Sequence, residues 1–102
     1  MKQYEVWNAK TSGKSGAVPI VIIADLADAV FAVPLSTDAT EERLPTHALV
    51  FVDGPSVVAI AHCEQAMVLD KAHLSKRIGE VSEELDRSAL MRVLSARLAE
   101  AA

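Results

Sequence analysis

The segment from Ser56 to Ser82 reads SVVAIAHCEQAMVLDKAHLSKRIGEVS, and it decides the fold because an apolar run ends there in a group of polar side chains. The run from Val57 to His62 has the composition of a buried strand, and His62-Cys63-Glu64-Gln65 stands at its end. Successive side chains of a strand point to opposite faces, so we expect His62 and Glu64 on one face and Cys63 on the other. The sequence therefore predicts an imidazole and a carboxylate side by side on a rigid support.

Downstream of this point the pattern changes from strand to helix. Asp70 to Leu74 predicts a single helical turn, and Lys76 to Val81 predicts another strand. Ser82 suits a helix N-cap, and acidic residues follow it, which favours a helix from about Ser82 to Ala99. The apolar stripe expected on this helix comprises Leu85, Ala89, Val93, Leu94 and Leu98.

Upstream, the sequence predicts four strands separated by polar or turn-forming residues. Asp53-Gly54 marks a tight turn into the strand that begins at Val57. The second and third strands are apolar throughout, so they are expected to form a hairpin that is buried on both faces. The predicted strands are Gln3 to Asn8, Pro19 to Ile23, Val30 to Leu35 and His47 to Val52.

The loop after the first strand contains Gly13-Lys14-Ser15, which resembles part of a phosphate-binding loop. The full motif needs an earlier glycine, and Asn8 occupies that position, so we reject a nucleotide-binding loop. Lys10 and Lys14 nevertheless give this loop a small positive charge. The chain as a whole has a net charge of −4, so nonspecific binding to nucleic acid is not expected, and any RNA contact must use a local basic spot such as these lysines.

Length and composition predict a single domain over residues 1–102. With 51% hydrophobic residues, such a chain buries roughly 60–65% of its unfolded surface, a thin margin that makes a homodimer a reasonable expectation. Asp25 and Asp28 interrupt the longest apolar run, so no membrane span is expected. The single cysteine, Cys63, cannot form an intramolecular disulfide, and together these features favour a soluble, cytoplasmic protein.

The segment around Cys63 resembles the PemK/MazF family of bacterial toxins, in which an apolar strand ends in a Cys-acid-Gln signature followed by a Leu-Asp-Lys turn, an Ile-Gly strand and a closing helix. The resemblance covers almost the whole chain. It implies a β-rich α+β fold, with a small, strongly curved antiparallel sheet or SH3-like barrel and a C-terminal α-helix. It also implies a cytoplasmic homodimer, a cognate antitoxin protein as partner, and single-stranded RNA as substrate.

Family members typically have Arg-Cys-Asp-Gln where this chain has His62-Cys63-Glu64-Gln65. In such toxins the 2′-hydroxyl of RNA attacks the adjacent phosphate, which requires a base at the hydroxyl and a proton donor at the leaving 5′-oxygen. The resemblance implies that Glu64 is the base and His62 the acid, and histidine suits the second role because it titrates near neutral pH. The alternative is a histidine that only hydrogen-bonds a neighbour, beside a solvated glutamate.

Two further pairs match positions that contact RNA in relatives. Ser36-Thr37 stands where the family has two hydroxyls at the scissile phosphate, and Thr46-His47 aligns with the wall of the RNA groove. Hydroxyls donate to phosphate oxygens, and a histidine ring can stack on a base. The alternatives are a Ser/Thr turn for the first pair and a water-exposed strand-start histidine for the second.

Two departures weaken the expectation of an enzyme. Val18 and Met67 stand where the family usually has arginine, so two cations that would face phosphate are missing. Two alternatives therefore stay open: a CcdB-like poison of DNA gyrase with the same fold, or a degenerate member that acts only in a regulatory antitoxin complex. No metal-ligand spacing or cofactor-binding motif is apparent, so we expect neither a metal nor a cofactor.

Overall fold

The computed structural model describes residues 1–10, 17–37 and 44–101, with side chains described up to residue 99. Lys14 lies outside the described residues. The described chain forms strands, two short 3₁₀ turns at Cys63–Gln65 and Lys71–His73, and one long helix. The elements are β1 (Glu5–Lys10), β2 (Ala17–Asp25), β3 (Ala29–Ser36), β4 (His47–Val52), β5 (Val57–His62), β6 (Met67–Asp70), β7 (Leu74–Glu80) and α1 (Glu84–Ala101).

The strands form one curved antiparallel sheet of seven strands in the order β4-β5-β3-β2-β1-β7, and β6 pairs with β3 off this path. An isolated bridge between Asp53 and Glu80 brings the end of β4 against the end of β7. The sheet therefore curls almost onto itself without forming a continuous closed ladder. The predicted fold class, a strongly curved antiparallel sheet with a C-terminal helix, is confirmed.

The core lies between the concave face of the sheet and helix α1. Alternate residues of β4 and β5, including Val50, Val52 and Ala61, point into it, as expected for strands with one buried face. The helix contributes Leu90 and Leu94, which are fully buried. The predicted helical stripe is wrong at both ends, because Leu85 and Leu98 are exposed.

The approach of β4 to β7 requires a residue without a side chain. A Cβ atom on Gly79 would lie 2.1 Å from the backbone carbonyl oxygen of Asp53. Asp53 and Glu80 exchange both backbone hydrogen bonds at this point, with N···O distances of 2.8 and 3.0 Å. Gly79 thus allows the two ends of the sheet to meet.

The sequence analysis missed two local features that shape the site. Cys63–Gln65 form a 3₁₀ turn rather than a continuation of β5, and Met67–Asp70 form the short strand β6. Met67 packs against a second apolar cluster that contains Ile20 and Ile22. The chain therefore leaves β5 abruptly, turns through Glu64, and returns to the sheet beside β3.

Candidate functional site

The ends of β4 and β5 bring two histidines together. His47 and His62 are direct partners in the antiparallel register, and Cys63 N–H donates to the Thr46 carbonyl oxygen at 3.1 Å just beyond them. Side chains of directly paired residues lie on the same face of a sheet. The two imidazole rings are in contact, with centroids 4.4 Å apart and an interplanar angle of 68°.

The 3₁₀ turn places the carboxylate of Glu64 beside both rings. Glu64 Oε1 lies 3.0 Å from His47 Nε2 and 3.3 Å from His62 Nδ1, while the Thr46 hydroxyl donates to Oε2 at 3.2 Å. The predicted pairing of His62 with Glu64 is thus found, but the predicted reason, strand alternation, is wrong. The turn at Cys63–Gln65 brings the carboxylate back over the end of the strand.

This group, Thr46, His47, His62 and Glu64, is hereafter called the histidine–glutamate cluster. Only 4% of the His47 side chain is exposed, against 11% for His62 and 21% for Glu64. His62 and Glu64 therefore do not present equal surfaces to solvent: both imidazoles are largely buried, and the carboxylate is the most accessible of the three groups. Glu64 Oε1 itself is buried and makes no well-aligned hydrogen bond within the described part of the chain.

The hydrogen bonding of His47 fixes which of its nitrogens carries the proton. The backbone N–H of Leu44 donates to Nδ1 at 3.2 Å, so Nδ1 is the acceptor and a neutral ring has its proton on Nε2, toward Glu64. Because the ring is almost fully covered, neither of its faces is open to a nucleobase. The predicted base stacking by His47 is therefore not possible in this arrangement.

Among the described residues, His47, His62 and Glu64 form a group that could hold a metal ion, since their ligand atoms lie within 4.8 Å of one another. A ligating histidine normally donates its second N–H to an acceptor. Nδ1 of His47 instead accepts from Leu44, so this ring lacks the second-nitrogen donor that normally supports a ligating Nε2. The donor set of this cluster therefore suits proton transfer better than metal binding.

The two hydroxyls of Ser36 and Thr37 are not brought to the same place. Ser36 pairs with Ile60, and Ile60 is two residues before His62 on β5, so Ser36 shares the sheet face that carries the histidines. Thr37 is exposed and lines a different cavity of about 200 Å³ with apolar walls that include Val6, Pro19 and Ile78. Of the predicted hydroxyl pair, only Ser36 therefore lies on the face of the histidine–glutamate cluster.

The predicted RNA-binding lysine Lys10, and the two positions where arginine was expected, lie in places that do not serve the histidine–glutamate cluster. Lys10 is exposed at the end of β1, which is separated from β5 by β2 and β3 in the sheet. Val18 is half-buried in β2, and Met67 is used for core packing. Neither side chain can supply the cation that the family resemblance implied at its position.

A pair of arginines that the sequence analysis did not single out lies beside the cluster. Arg92 and Arg97 of α1 line a cavity of about 200 Å³ together with Pro45, Thr46, Val93 and Ala96. Thr46 is shared between this cavity and the Glu64 carboxylate. The signal available in the sequence was the helical spacing of residues 92, 93, 96 and 97, which places them on one side of α1, but the strand that this side faces depends on the fold.

Cys63 lies beneath the cluster and takes no visible part in it. Its side chain is buried in the main core, and burial, with a smaller effect of the nearby Glu64 carboxylate, raises the pKa of the thiol to about 11. The thiol is therefore a protonated core group at neutral pH.

Solved structures share this fold over nearly the full chain. An endoribonuclease in complex with its cognate antitoxin, from a mycobacterial species, matches with a TM-score of 0.79 at 22% identity and covers 97% of this chain and 95% of that one. A second mycobacterial endoribonuclease matches with a TM-score of 0.78 at 20% identity, covering 97% and 91% of the two chains. The Mycobacterium tuberculosis toxin MazF-mt6 matches with a TM-score of 0.75 at 19% identity, covering 93% and 96%. At these identities the likeness establishes the fold alone.

Among curated proteins no relative matches this chain. Within the described residues, no helix is long and apolar enough to cross a membrane. The family model for the PemK-like, MazF-like toxins of type II toxin-antitoxin systems matches residues 2–98, which is almost the entire sequence. The chain therefore belongs to the PemK-like, MazF-like family of type II toxin-antitoxin toxins.

Proposed function

We propose that this toxin is an endoribonuclease that cleaves single-stranded RNA through attack of a 2′-hydroxyl on the adjacent phosphate, and that a cognate antitoxin holds it inactive in the cytoplasm. The observation that carries the proposal is the contact between Glu64 and His62, whose Oε1 and Nδ1 atoms lie 3.3 Å apart where the family signature ends. A carboxylate and an imidazole are residue types that general base and general acid catalysis use, and this contact brings one of each to the end of β5.

In the proposed reaction Glu64 takes the proton of the 2′-hydroxyl as its oxygen bonds to phosphorus. The bond from phosphorus to the 5′-oxygen breaks, and protonated His62 gives its proton to that leaving oxygen. The products are a 2′,3′-cyclic phosphate and a free 5′-hydroxyl. The His62 side chain is 11% exposed and the Glu64 side chain 21% exposed. In this proposal the RNA therefore approaches from the side of the carboxylate and contacts only the exposed edge of the His62 ring.

Charge for the RNA backbone must come from residues other than Val18 and Met67. We assign phosphate contacts to Arg92 and Arg97, because they line the cavity that shares Thr46 with the cluster. Arg92 has no ion-pair partner among the described residues, so its charge is available to a ligand.

The remaining predicted contacts are more peripheral in this proposal. Ser36 donates to a phosphate oxygen from the face that carries His62, and Thr46 lies at the rim of the cluster. Thr37, Lys10 and Lys14 are assigned to more distant parts of the RNA, since neither Thr37 nor Lys10 is next to the histidine–glutamate cluster.

The outer face of β4 and β5 supports a homodimer or a bound antitoxin. Leu49 and Val58 are exposed there, and both lie on the face of the sheet to which His62 belongs. Exposed apolar side chains that form a contiguous patch on a sheet face mark a surface that a protein partner can cover. A partner seated on this face would lie directly beside Glu64.

The test uses purified protein, a mixed single-stranded RNA ladder and growth inhibition in cells. We expect selective fragments ending in 2′,3′-cyclic phosphate, and a loss of about 10²-fold or more in rate for each of His62→Ala and Glu64→Gln. His73→Ala is the matched control, because His73 is an exposed histidine in the 3₁₀ turn before β7. Full cleavage and growth inhibition by both variants would remove the assignment.

A second candidate is a regulatory protein that binds antitoxin without cleaving RNA. The near-complete burial of both imidazoles and the loss of arginine at positions 18 and 67 favour it. Antitoxin binding by a wild-type protein that leaves every RNA in the ladder intact would support this candidate over the enzyme.

A further inference from the structure

His47 has the shortest contact to the Glu64 carboxylate within the histidine–glutamate cluster. Its Nε2 atom is 3.0 Å from Oε1, closer than His62 Nδ1 at 3.3 Å. Only 4% of its side chain is exposed, so the ring offers almost no surface to solvent or to a ligand. Any effect of His47 on the reaction must therefore act through its contacts with Glu64 and His62.

Hydrogen bonding decides which ring nitrogen of His47 accepts and which one faces Glu64. Leu44 N–H donates to Nδ1, and protonation of Nδ1 would set two donors against each other at 3.2 Å. A ring that accepts at Nδ1 has its N–H on Nε2, on the side of Glu64. A ring held in this way offers a fixed dipole to the carboxylate and does not compete for the proton that Glu64 takes up.

The backbone holds this ring from two sides. His47 N–H donates to the Leu44 carbonyl oxygen at 3.0 Å, so the residue is tied to Leu44 through both its backbone and its imidazole. The direct register with His62 and the ring contact at 4.4 Å fix the other side. Thr46 then holds Oε2 at 3.2 Å, which leaves Oε1 as the carboxylate oxygen between the two rings.

We propose that His47 is a positioning residue that, together with the Thr46 hydroxyl, orients the Glu64 carboxylate by holding its buried Oε1 atom against His62. This inference rests on the proposed ribonuclease activity, and it assigns to His47 a role different from base stacking. Hydrogen bonds of this kind are often poorly aligned without substrate and tighten when it binds, which accords with the unaligned contact at Oε1.

The kinetic test compares His47→Phe, which keeps a buried ring but has no N–H, with His47→Gln, whose amide can place an N–H near the former Nε2 position. We expect His47→Phe to lower kcat by about 10²-fold with little change in KM, and His47→Gln to recover most of the loss. His73→Gln is the control for replacing an exposed histidine. An increase in KM with unchanged kcat in His47→Phe would overturn the positioning role in favour of direct RNA binding.

A spectroscopic test separates this inference from the proposed activity. In protein labelled with ¹⁵N-histidine, two-bond ¹⁵N–¹H correlations should show His47 protonated on Nε2, and Glu64→Leu should move that Nε2 resonance while His73→Gln leaves it in place. A proton on Nδ1, or an Nε2 resonance unaffected by Glu64→Leu, would overturn the inference even if RNA is cleaved. The expected spectra without any RNA cleavage by the wild type would support the His47–Glu64 arrangement and remove the proposed function instead.

Discussion

His47 and His62 pack edge to face across β4 and β5, with ring centroids 4.4 Å apart. Their contact follows directly from the register of the two strands, in which these residues are opposite each other. A slip of one residue would send one of the two rings to the opposite face of the sheet. The cluster is therefore a consequence of the register between β4 and β5.

Removing the Thr46 hydroxyl should slow cleavage without unfolding the protein. Thr46→Val keeps the shape of the side chain but loses the donor that lies 3.2 Å from Glu64 Oε2. A hydrogen bond to a charged group is worth about 1.5–3 kcal/mol, so we expect kcat to fall by about tenfold or more. Single-turnover cleavage of a preferred RNA measures the effect. Thr46→Ser retains the hydroxyl and should remain within a few-fold of the wild type, and equal rates for the two variants would show that the hydroxyl does not act on Glu64.

Neutralising Arg92 should weaken RNA binding in a salt-dependent way. Arg92→Gln removes one cation from the cavity beside Thr46. Each cation lost from the contact with single-stranded RNA should make the slope of log affinity against log salt concentration shallower by about 0.7. Fluorescence anisotropy with a noncleavable single-stranded RNA at several salt concentrations measures this slope. Arg77→Gln is the control, because Arg77 lies on β7, at the opposite end of the strand order from β4, and is paired with Glu5 at 2.9 Å. A slope identical to that of the wild type would place the RNA elsewhere.

The strands could be predicted from the sequence because their apolar runs are long and are separated by clear turn residues. The strand β5, the hairpin of β2 and β3, and the helix all lie close to their predicted positions. The 3₁₀ turn at Cys63–Gln65 was missed because polar residues at the end of an apolar run fit a continuing strand equally well by alternation.

Contacts in the site between residues far apart in the sequence could not be predicted from the apolar runs and turn residues that reveal the strands. His47 was recognised as a candidate, but its burial and its contact with Glu64 depend on strand register, which one sequence does not give. Arg92 and Arg97 were overlooked for a similar reason, since only the packing of α1 against the start of β4 brings them to Thr46.

Cys63 should resist alkylation in the folded protein. Burial raises the pKa of its thiol to about 11, and the thiolate is the reactive form, so little of it is present at neutral pH. We expect iodoacetamide to modify Cys63 only upon unfolding, with a labelling rate in urea that follows the unfolding curve. Mass spectrometry of the intact protein measures the modification. Rapid labelling in buffer alone would show that the turn at Cys63–Gln65 opens readily.

Asp25 should stabilise the fold at neutral pH and lose that effect in acid. The Lys71 ammonium at 2.7 Å, followed by the amino group of Met1 at 2.8 Å, holds the pKa of this carboxyl well below its usual value of 3.8. A lowered folded-state pKa means that the contribution is present above 3.8 and disappears as the pH falls through the folded-state value. The difference in unfolding free energy between wild type and Asp25→Asn should therefore shrink from neutral pH to about pH 2. Asp28→Asn, in the same connection between β2 and β3, is the control, and an equal pH trend for both variants would contradict the assignment.

Gly79 should be essential for the meeting of β4 and β7. In Gly79→Ala the new methyl group would lie 2.1 Å from the Asp53 carbonyl oxygen, 3.0 Å from Pro55 and 3.1 Å from Val52, so the backbone must move apart. Overpacking of a closed site costs about 1–3 kcal/mol, and loss of the paired hydrogen bonds between Asp53 and Glu80 would add to that cost. Urea unfolding followed by circular dichroism measures the change, and Ser88→Ala on the exposed side of α1 is the control.

Because β7 pairs with β1 while Asp53 follows β4 directly, separation of these ends would loosen the sheet far from the histidine–glutamate cluster. We therefore expect Gly79→Ala to lower the unfolding free energy while leaving the His47 Nε2 resonance of the remaining folded protein unchanged, and unaltered stability would show that the sheet ends do not need this contact.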